Sequence, residues 1–579
     1  MDKAVTKRPG LVCEGAIDPP QLLARLKEIV GRRHVLSDPR RTLRFRTGFR
    51  FGSGPAMAVV RPGSLVEMWR VLHACAAANT VVLMQAANTG LTGGSTPDGH
   101  DYDRNIVIIN TLRLARIHVI KEGRQVICLP GATLYQLENI LRPLGRDPHS
   151  VIGSSCIGAS VFGGVCNNSG GSLIHRGPVF TQLALYAQVD AQGEIHLVNH
   201  LGIKLGNDPE AVLGNVEHGR FSPADIEHDA SRRGSDSTYM QHVRDIEADT
   251  PARFNADPKR LFEASGSAGK VMLFAVRLDT FPHPEKTVDF YVGTNDPAEL
   301  TTIRRHMLTT FKELPIAAEY IHRDAFDIAE VYGKDMFLAI RHLGTNRLPQ
   351  LFTWKSRYDI FASRFRYLPR DLSDRTLQVL SRLFPRHLPR RMYDYRDRFE
   401  HHLILKMADS GVDEARAYLK SLFPTAKGDY FECTPDEGEK AFLHRYAVAG
   451  AAIRYRAIHR RQVEDIVALD IALPRNEQNW VEHLPEDISA PILRRIYYAH
   501  FFCLVFHQDY VVAKGHDTLA LEHRMWKLLD ERRAEYPAEH NVGHLYDAKP
   551  ALVNHYRTLD PCNVFNPGIG HTSKCLHWI

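Results

Sequence analysis

No apolar run in this chain is long enough to cross a bilayer. The best, Tyr497 to Phe506, is short and carries His500, whereas a spanning helix needs about 20 residues. The first ten residues, Met1 to Gly10, carry charges with no apolar stretch behind them. No secretory signal is expected, and the chain should stay in the cytosol. Cysteine is sparse, nine in 579 residues with no C-x-x-C spacing, which argues against a disulfide framework and for reduced thiols. Also missing is a G-x-G-x-x-G turn after a strand, so NAD is not expected as acceptor. Charge of one sign is in little excess overall, +6, but it is uneven. Between Arg341 and Arg398, 14 Lys and Arg stand against 5 Asp, a local +9 that leaves −3 for the rest.

What is present is enough apolar residue, 44%, for folded cores, in a chain long enough for two or three domains. Residues 21 to 30 have helical spacing. Ala58-Val59-Val60 reads as a strand, Ser64 as an N-cap, Val66 to Ala78 as a helix and Val81 to Met84 as the next strand. Further strands are expected at Ile106 to Asn110, Gln125 to Leu129, Ala184 to Asp190 and Ile195 to Val198, with a helix from Leu134 to Leu141. Gly206 to Gln241 is polar with few periodic signals and reads as a surface loop. Composition changes after Phe281, where a second domain is expected to begin.

Two glycine-rich segments organise this half. The first, Gln85 to Ser95, follows the apolar run Val81 to Met84; the second, Gly153 to Gly171, is almost entirely small residues. Glycine lets backbone approach a ligand closely, and successive free N–H groups form an anion-binding concavity. Two such loops can grip a pyrophosphate.

Order and spacing resemble the FAD-binding domain of the vanillyl-alcohol oxidase type, also called PCMH-type. Within that group the chain is similar to the membrane-associated, quinone-dependent D-lactate dehydrogenases of bacterial respiratory chains. The resemblance runs through Met84 to Gly90, Pro148 to Ser160, Cys166 to Ser172, Arg244 to Arg253, Phe506 to Tyr510 and Pro537 to His544. It implies an α+β fold: a PCMH-type FAD domain over residues 1–280 (core about 50–225), a ferredoxin-like cap over 281–530, and a C-terminal segment, 531–579, that returns to the FAD domain. A basic, mainly helical membrane-binding insert is expected at about 322–398 and 437–461. Aromatics interleaved with arginines between Arg341 and Arg398 suit an anionic phospholipid surface. Nucleic acid is the rival for such a surface, and the resemblance favours the membrane, at the cytoplasmic face of the bacterial inner membrane.

For the cofactor, the resemblance points to Ala86, Ala87, Asn88, Thr89, Gly90, Gly94 and Ser95 in the first loop. Gly153, Ser160 and Gly170 follow in the second, and Leu273 on a returning strand. The first loop has neither His nor Cys, so FAD is expected to be non-covalent. The implied reaction is oxidation of D-lactate to pyruvate with quinone as final acceptor. A dehydrogenase for 2-hydroxybutyrate, glycolate or 2-hydroxyglutarate is the alternative within enzymes, and a non-catalytic flavin-containing membrane protein the alternative outside them. Arg445, with Arg454 second, suits the substrate carboxylate because a guanidinium binds it bidentately. By the same resemblance His500, His507 and Glu539 would hold a divalent metal, Zn or Mn, and His540 would act as base. Here bulky aromatics fill the span between the two histidines and Asn541 follows His540, where the relatives carry glycines.

Overall fold

The computed structural model describes residues 18–48, 50–149, 158–227, 231–343, 358, 367, 372–423 and 426–579. Gly153 and the stretch 344–357 of the basic segment lie outside the described residues.

Continuous apolar runs favour strands buried on both faces. Ala58–Val60, Ile106–Asn110 and Val81–Gln85 lie parallel in that order, with Val35–Leu36 antiparallel at the edge. The helix Leu65–Ala77 starts where the Ser64 hydroxyl accepts the Glu67 N–H, and the helix Pro19–Val30 packs Leu22, Leu26 and Val30 into the same core. A second, antiparallel sheet orders Ile117–Ile120, Gln125–Cys128, Met272–Asp279, Ala184–Val189 and Ile195–Asn199. Val82 and Ile109 of the first sheet share a core with Leu185 and Phe274 of the second.

The interval 206–241 departs from expectation. Pro209–His218 is a helix, capped where Asp208 accepts the Ala211 N–H and closed by Gly219 at φ 66°. Its short apolar set, Val212, Leu213 and Val216, buries in the first core. Tertiary support supplies what the weak periodicity lacks.

The second half is built on one seven-stranded antiparallel sheet. Its order is Asp429–Glu432, Thr287–Thr294, His401–Ala408, Ala317–His322, Ile492–His500, Val505–Ala513 and Val463–Ala472. Alternate residues face opposite sides. One side carries Phe290, Leu403 and Tyr510 against the helices Pro297–Thr310, Gly411–Leu422 and Thr518–Glu531. The other carries Tyr291, Ile404 and Tyr498 against the helices Arg323–Tyr332 and Pro435–Ile458. Packing runs across the expected boundary at 281, because Tyr239, Val243 and Ile246 join the first of these cores.

Within the basic segment the helices Leu372–Ser381 and Arg390–Arg398 are described. Val379, Leu380, Leu383 and Phe384 stand exposed between Arg375, Arg382 and Arg386. Among the described residues no helix is long and apolar enough to cross a membrane. The chain's end folds back on the first half: the Val82 N–H donates to Val564 O, and Phe565 bridges to Val82. Fully buried Lys270 donates to Asn563 Oδ1 at 2.7 Å and lies 3.8 Å from Asp560.

Candidate functional site

The first glycine loop leaves its strand at Gln85 and turns at Asn88, whose φ of 55° lies in the left-handed region. Asn88 donates to Thr47 O and accepts from Ser95 Oγ, which pins the loop's two ends. A Cβ at Gly90 would meet nothing within 4 Å, and the same holds at Gly158 in the second segment. Both loops therefore present open backbone edges. Ser160 caps the short helix Val161–Cys166 by accepting the Gly163 N–H, and Leu273 is buried on the strand beneath.

Asn541 ties these loops together. Its side chain donates to Asn167 Oδ1 at 2.8 Å, and its carbonyl accepts from Thr92 Oγ1 at 2.8 Å. At Gly94 a Cβ would stand 2.5 Å from Asn541 Nδ2. The residue that replaces the expected glycine is thus the link between both loops and the segment Glu539–His540.

That segment meets a row of histidines and carboxylates on the face of the large sheet that packs against the helices Arg323–Tyr332 and Pro435–Ile458. His500 and His507 sit on neighbouring strands, their rings 5.2 Å apart. The span between them is a hairpin turned at Leu504, φ 51°, with Phe501, Phe502 and Phe506 driven into the opposite core. Glycines are dispensable there because the turn needs one left-handed residue only. Ligand atoms of His500, His507 and Glu539 all lie within 4.8 Å of one another.

Each imidazole is held from behind. His500 Nδ1 lies 2.6 Å from Glu319, His507 Nδ1 3.3 Å from Asp470 and His540 Nδ1 2.6 Å from Asp470. A carboxylate at Nδ1 keeps the hydrogen on that atom, so that in the neutral ring the lone pair stands on Nε2. Asp470 also accepts the N–H groups of Glu539 (2.7 Å) and His540 (3.1 Å), which fixes the segment's backbone. Glu539 bridges His500 Nε2 at 3.2 Å and Arg253 at 2.7 Å. Burial disfavours charge on His500, yet Glu319 and Glu539 outweigh it and raise its pKa to about 9. Burial likewise opposes ionisation of Glu539, but Arg253 and His500 hold it down at about 2. His540 is raised because Asp470 outweighs burial, and burial lowers His507.

Of the two arginines expected at the substrate, Arg445 reaches this network and Arg454 does not. Arg445 Nη2 lies 2.9 Å from Glu319 and its guanidinium stacks 4.6 Å from the Tyr498 ring. Arg454 is nine residues on, about 13.5 Å along the helix, in buried ion pairs with Asp335 and Asp374. Sequence reasoning missed Glu319, Asp470 and Arg253 as parts of the site. A signal existed for Glu319: a single carboxylate inside the apolar strand Ala317–His322, which burial makes costly without a partner.

Comparison with known proteins gives the family. The family model described as "FAD binding domain" matches residues 56–199. That described as "D-lactate dehydrogenase, membrane binding" matches residues 289–578. A quinone-dependent D-lactate dehydrogenase of Escherichia coli (strain K12) is 57% identical over 97% of this chain and 98% of its own. The chain belongs to the quinone-dependent D-lactate dehydrogenase family. A member from Corynebacterium glutamicum is 47% identical over 95% of this chain and 97% of its own. Solved structures share the family's fold at low identity. Alkyldihydroxyacetonephosphate synthase matches at TM-score 0.58 and 11% identity over 96% of this chain and 86% of that one. p-Cresol methylhydroxylase matches at 0.57 and 11% over 97% and 98%.

Proposed function

We propose that this chain oxidises D-lactate to pyruvate on FAD and passes the electrons to a membrane quinone. The observation that carries the reading is the buttressed set His500, His507, Glu539 and His540, placed by Asn541 against both glycine loops. The open edges at Gly90 and Gly158, with loop ends fixed by Asn88 and Ser95, suit a non-covalent FAD. When bound, FAD supplies the hydride acceptor. His540, held at Nδ1 by Asp470, presents Nε2 to take the substrate hydroxyl proton.

The donor set of two imidazole Nε2 atoms and one carboxylate fits a Zn or Mn ion. Such an ion would supply Lewis acidity at the substrate oxygen. Glu319 and Asp470 fix the orientation of the ligands, as metal-site histidines require. Arg445 is already shared with Glu319, so it serves the substrate carboxylate only through its remaining N–H groups. The exposed apolar turn at Leu383–Phe384 among arginines favours peripheral contact with an anionic phospholipid surface at the cytoplasmic face of an inner membrane. Nucleic acid and NAD have no part in this reading.

Steady-state kinetics with a short-chain quinone tests the substrate. D-lactate should give a higher kcat/KM than D-2-hydroxybutyrate, glycolate or D-2-hydroxyglutarate. A preference for any of these would move the function to that acid.

A further inference from the structure

Behind the histidine cluster, on the opposite face of the same sheet, lies a separate cavity of about 270 Å3. Its floor is a row across four neighbouring strands. His401 pairs with His322, Tyr497 with Gln508, and the His322 and Tyr497 rings lie 6.4 Å apart. Trp480 and Phe506, stacked at 5.6 Å and 16°, form an aromatic wall with Tyr320. The cavity alternates with the site strand by strand: Tyr320 follows Glu319, Tyr497 precedes Tyr498, and Gln508 follows His507. The sheet alone separates the two.

Hydrogen-bond directions in this cavity are fixed by its own tyrosines. The Tyr320 hydroxyl lies 2.8 Å from His401 Nδ1, and as the better donor it leaves the hydrogen on Nε2. The Tyr510 hydroxyl donates to the Glu482 carboxylate at 2.5 Å, so at 2.7 Å its oxygen takes one N–H of the Gln508 amide, which leaves the second Gln508 N–H unspent. Both side chains are more than nine-tenths buried, and among the described residues neither free donor has a protein partner. Burial, with His322 and Arg323, pushes His401 down to about 4, so it is a neutral donor at physiological pH. Three strand spacings, about 14 Å, separate the backbones that carry these two donors. Arg495 lines the rim, with no ion-pair partner among the described residues.

Two donors at opposite ends of a floor walled by aromatics suit a flat ring with acceptors on opposite edges. Resting on the reading of quinone as acceptor, we propose that this cavity binds the quinone headgroup, one carbonyl oxygen at His401 Nε2–H and the other at Gln508 Nε2–H. Oxidation of one D-lactate to pyruvate releases two electrons and two protons. The quinone takes up the two electrons and, from solvent at the rim, two protons, and leaves as the hydroquinone, with neutral His401 a hydrogen-bond donor to one oxygen and Arg495 holding a positive charge at the rim. The volume admits a single ring with short substituents, and a long tail must leave through the rim.

The test uses holoenzyme and a short-chain 1,4-benzoquinone, with binding followed by tryptophan quenching, in the parent protein, His401→Phe and Gln508→Leu. Each variant should weaken binding about tenfold, the effect of one lost hydrogen bond, and slow D-lactate-dependent quinone reduction alike. Anaerobic flavin bleaching by D-lactate and ferricyanide reduction should stay within about twofold of the parent, because neither donor faces the histidine cluster. Unchanged quinone binding in both variants would overturn the site, as would equal loss of ferricyanide and quinone reduction. A parent protein that binds quinone through His401 and Gln508, yet is not bleached by D-lactate, would refute the substrate and leave this site standing.

Discussion

Asp470→Asn is the most informative change in the site, because one carboxylate there orients two imidazoles. Oδ2 accepts from His540 Nδ1 and from the N–H groups of Glu539 and His540, while Oδ1 faces His507 Nδ1 at 3.3 Å. An asparagine can keep its carbonyl at the Oδ2 position and so preserve the backbone bonds. Its amide N–H groups then point at His507 Nδ1 and favour the tautomer with hydrogen on Nε2, where a metal ligand needs a lone pair. At His540 the bond survives without its charge. Burial would push the Asp470 carboxyl up, yet His540 and His507 hold it well below the usual carboxylate range, so the charge is strongly coupled to both rings. Losing one charge-assisted hydrogen bond costs about 1.5–3 kcal/mol, or about 10- to 150-fold in rate. The assay is stopped-flow flavin reduction at saturating D-lactate, with FAD content read from the same spectra. A rate within twofold of the parent at equal FAD content would refute the role given to Asp470.

Other expectations follow from single contacts. Gly170→Ala places a Cβ 2.3 Å from Glu539 Oε1 and 2.7 Å from Arg253 Nε; displacement of Glu539 should slow flavin reduction about 100-fold, read by the same stopped-flow assay. Glu522 is raised by burial to about 7, with one carboxyl oxygen unpartnered. The folded protein therefore holds a proton that the unfolded chain releases near 4.5, the ordinary value for a glutamate, and stability falls as pH rises from there to 7. Glu522→Gln should stabilise by up to about 3 kcal/mol at pH 8 and hardly at all at pH 4, measured by urea unfolding. Replacing Leu383 and Phe384 by serine should weaken flotation with anionic vesicles at least about thirtyfold, from about 2 kcal/mol of lost apolar burial. Dialysis against a chelator should abolish flavin reduction while FAD stays bound, with activity restored by Mn2+ or Zn2+.

The first half of the fold was legible because its signals are local. Val81 to Gln85 is an unbroken apolar run emptying into glycines, and Ser64 and Thr133 cap the helices they precede. The helix Pro209–His218 was hidden because its three buried residues form a helix only against a partner distant in sequence. In the site, His500, His507, Glu539 and His540 came from the resemblance, and in the fold they stand side by side. Their supports were not readable. Glu319 stands 181 residues from His500 in the chain and Asp470 70 residues from His540, and nothing local tells a buried buttress from a surface acid. Arg445 looked like a free guanidinium for the same reason: its carboxylate, Glu319, lies on a strand that joins it only in three dimensions.

The most direct measurement is an anaerobic absorbance spectrum of the purified holoenzyme before and after D-lactate, with L-lactate as control. The account predicts a flavin spectrum bleached by the D acid alone, since one base and one carboxylate-histidine cluster face the substrate from one side. A flavin that stays oxidised with both acids, or bleaches equally with both, would contradict it.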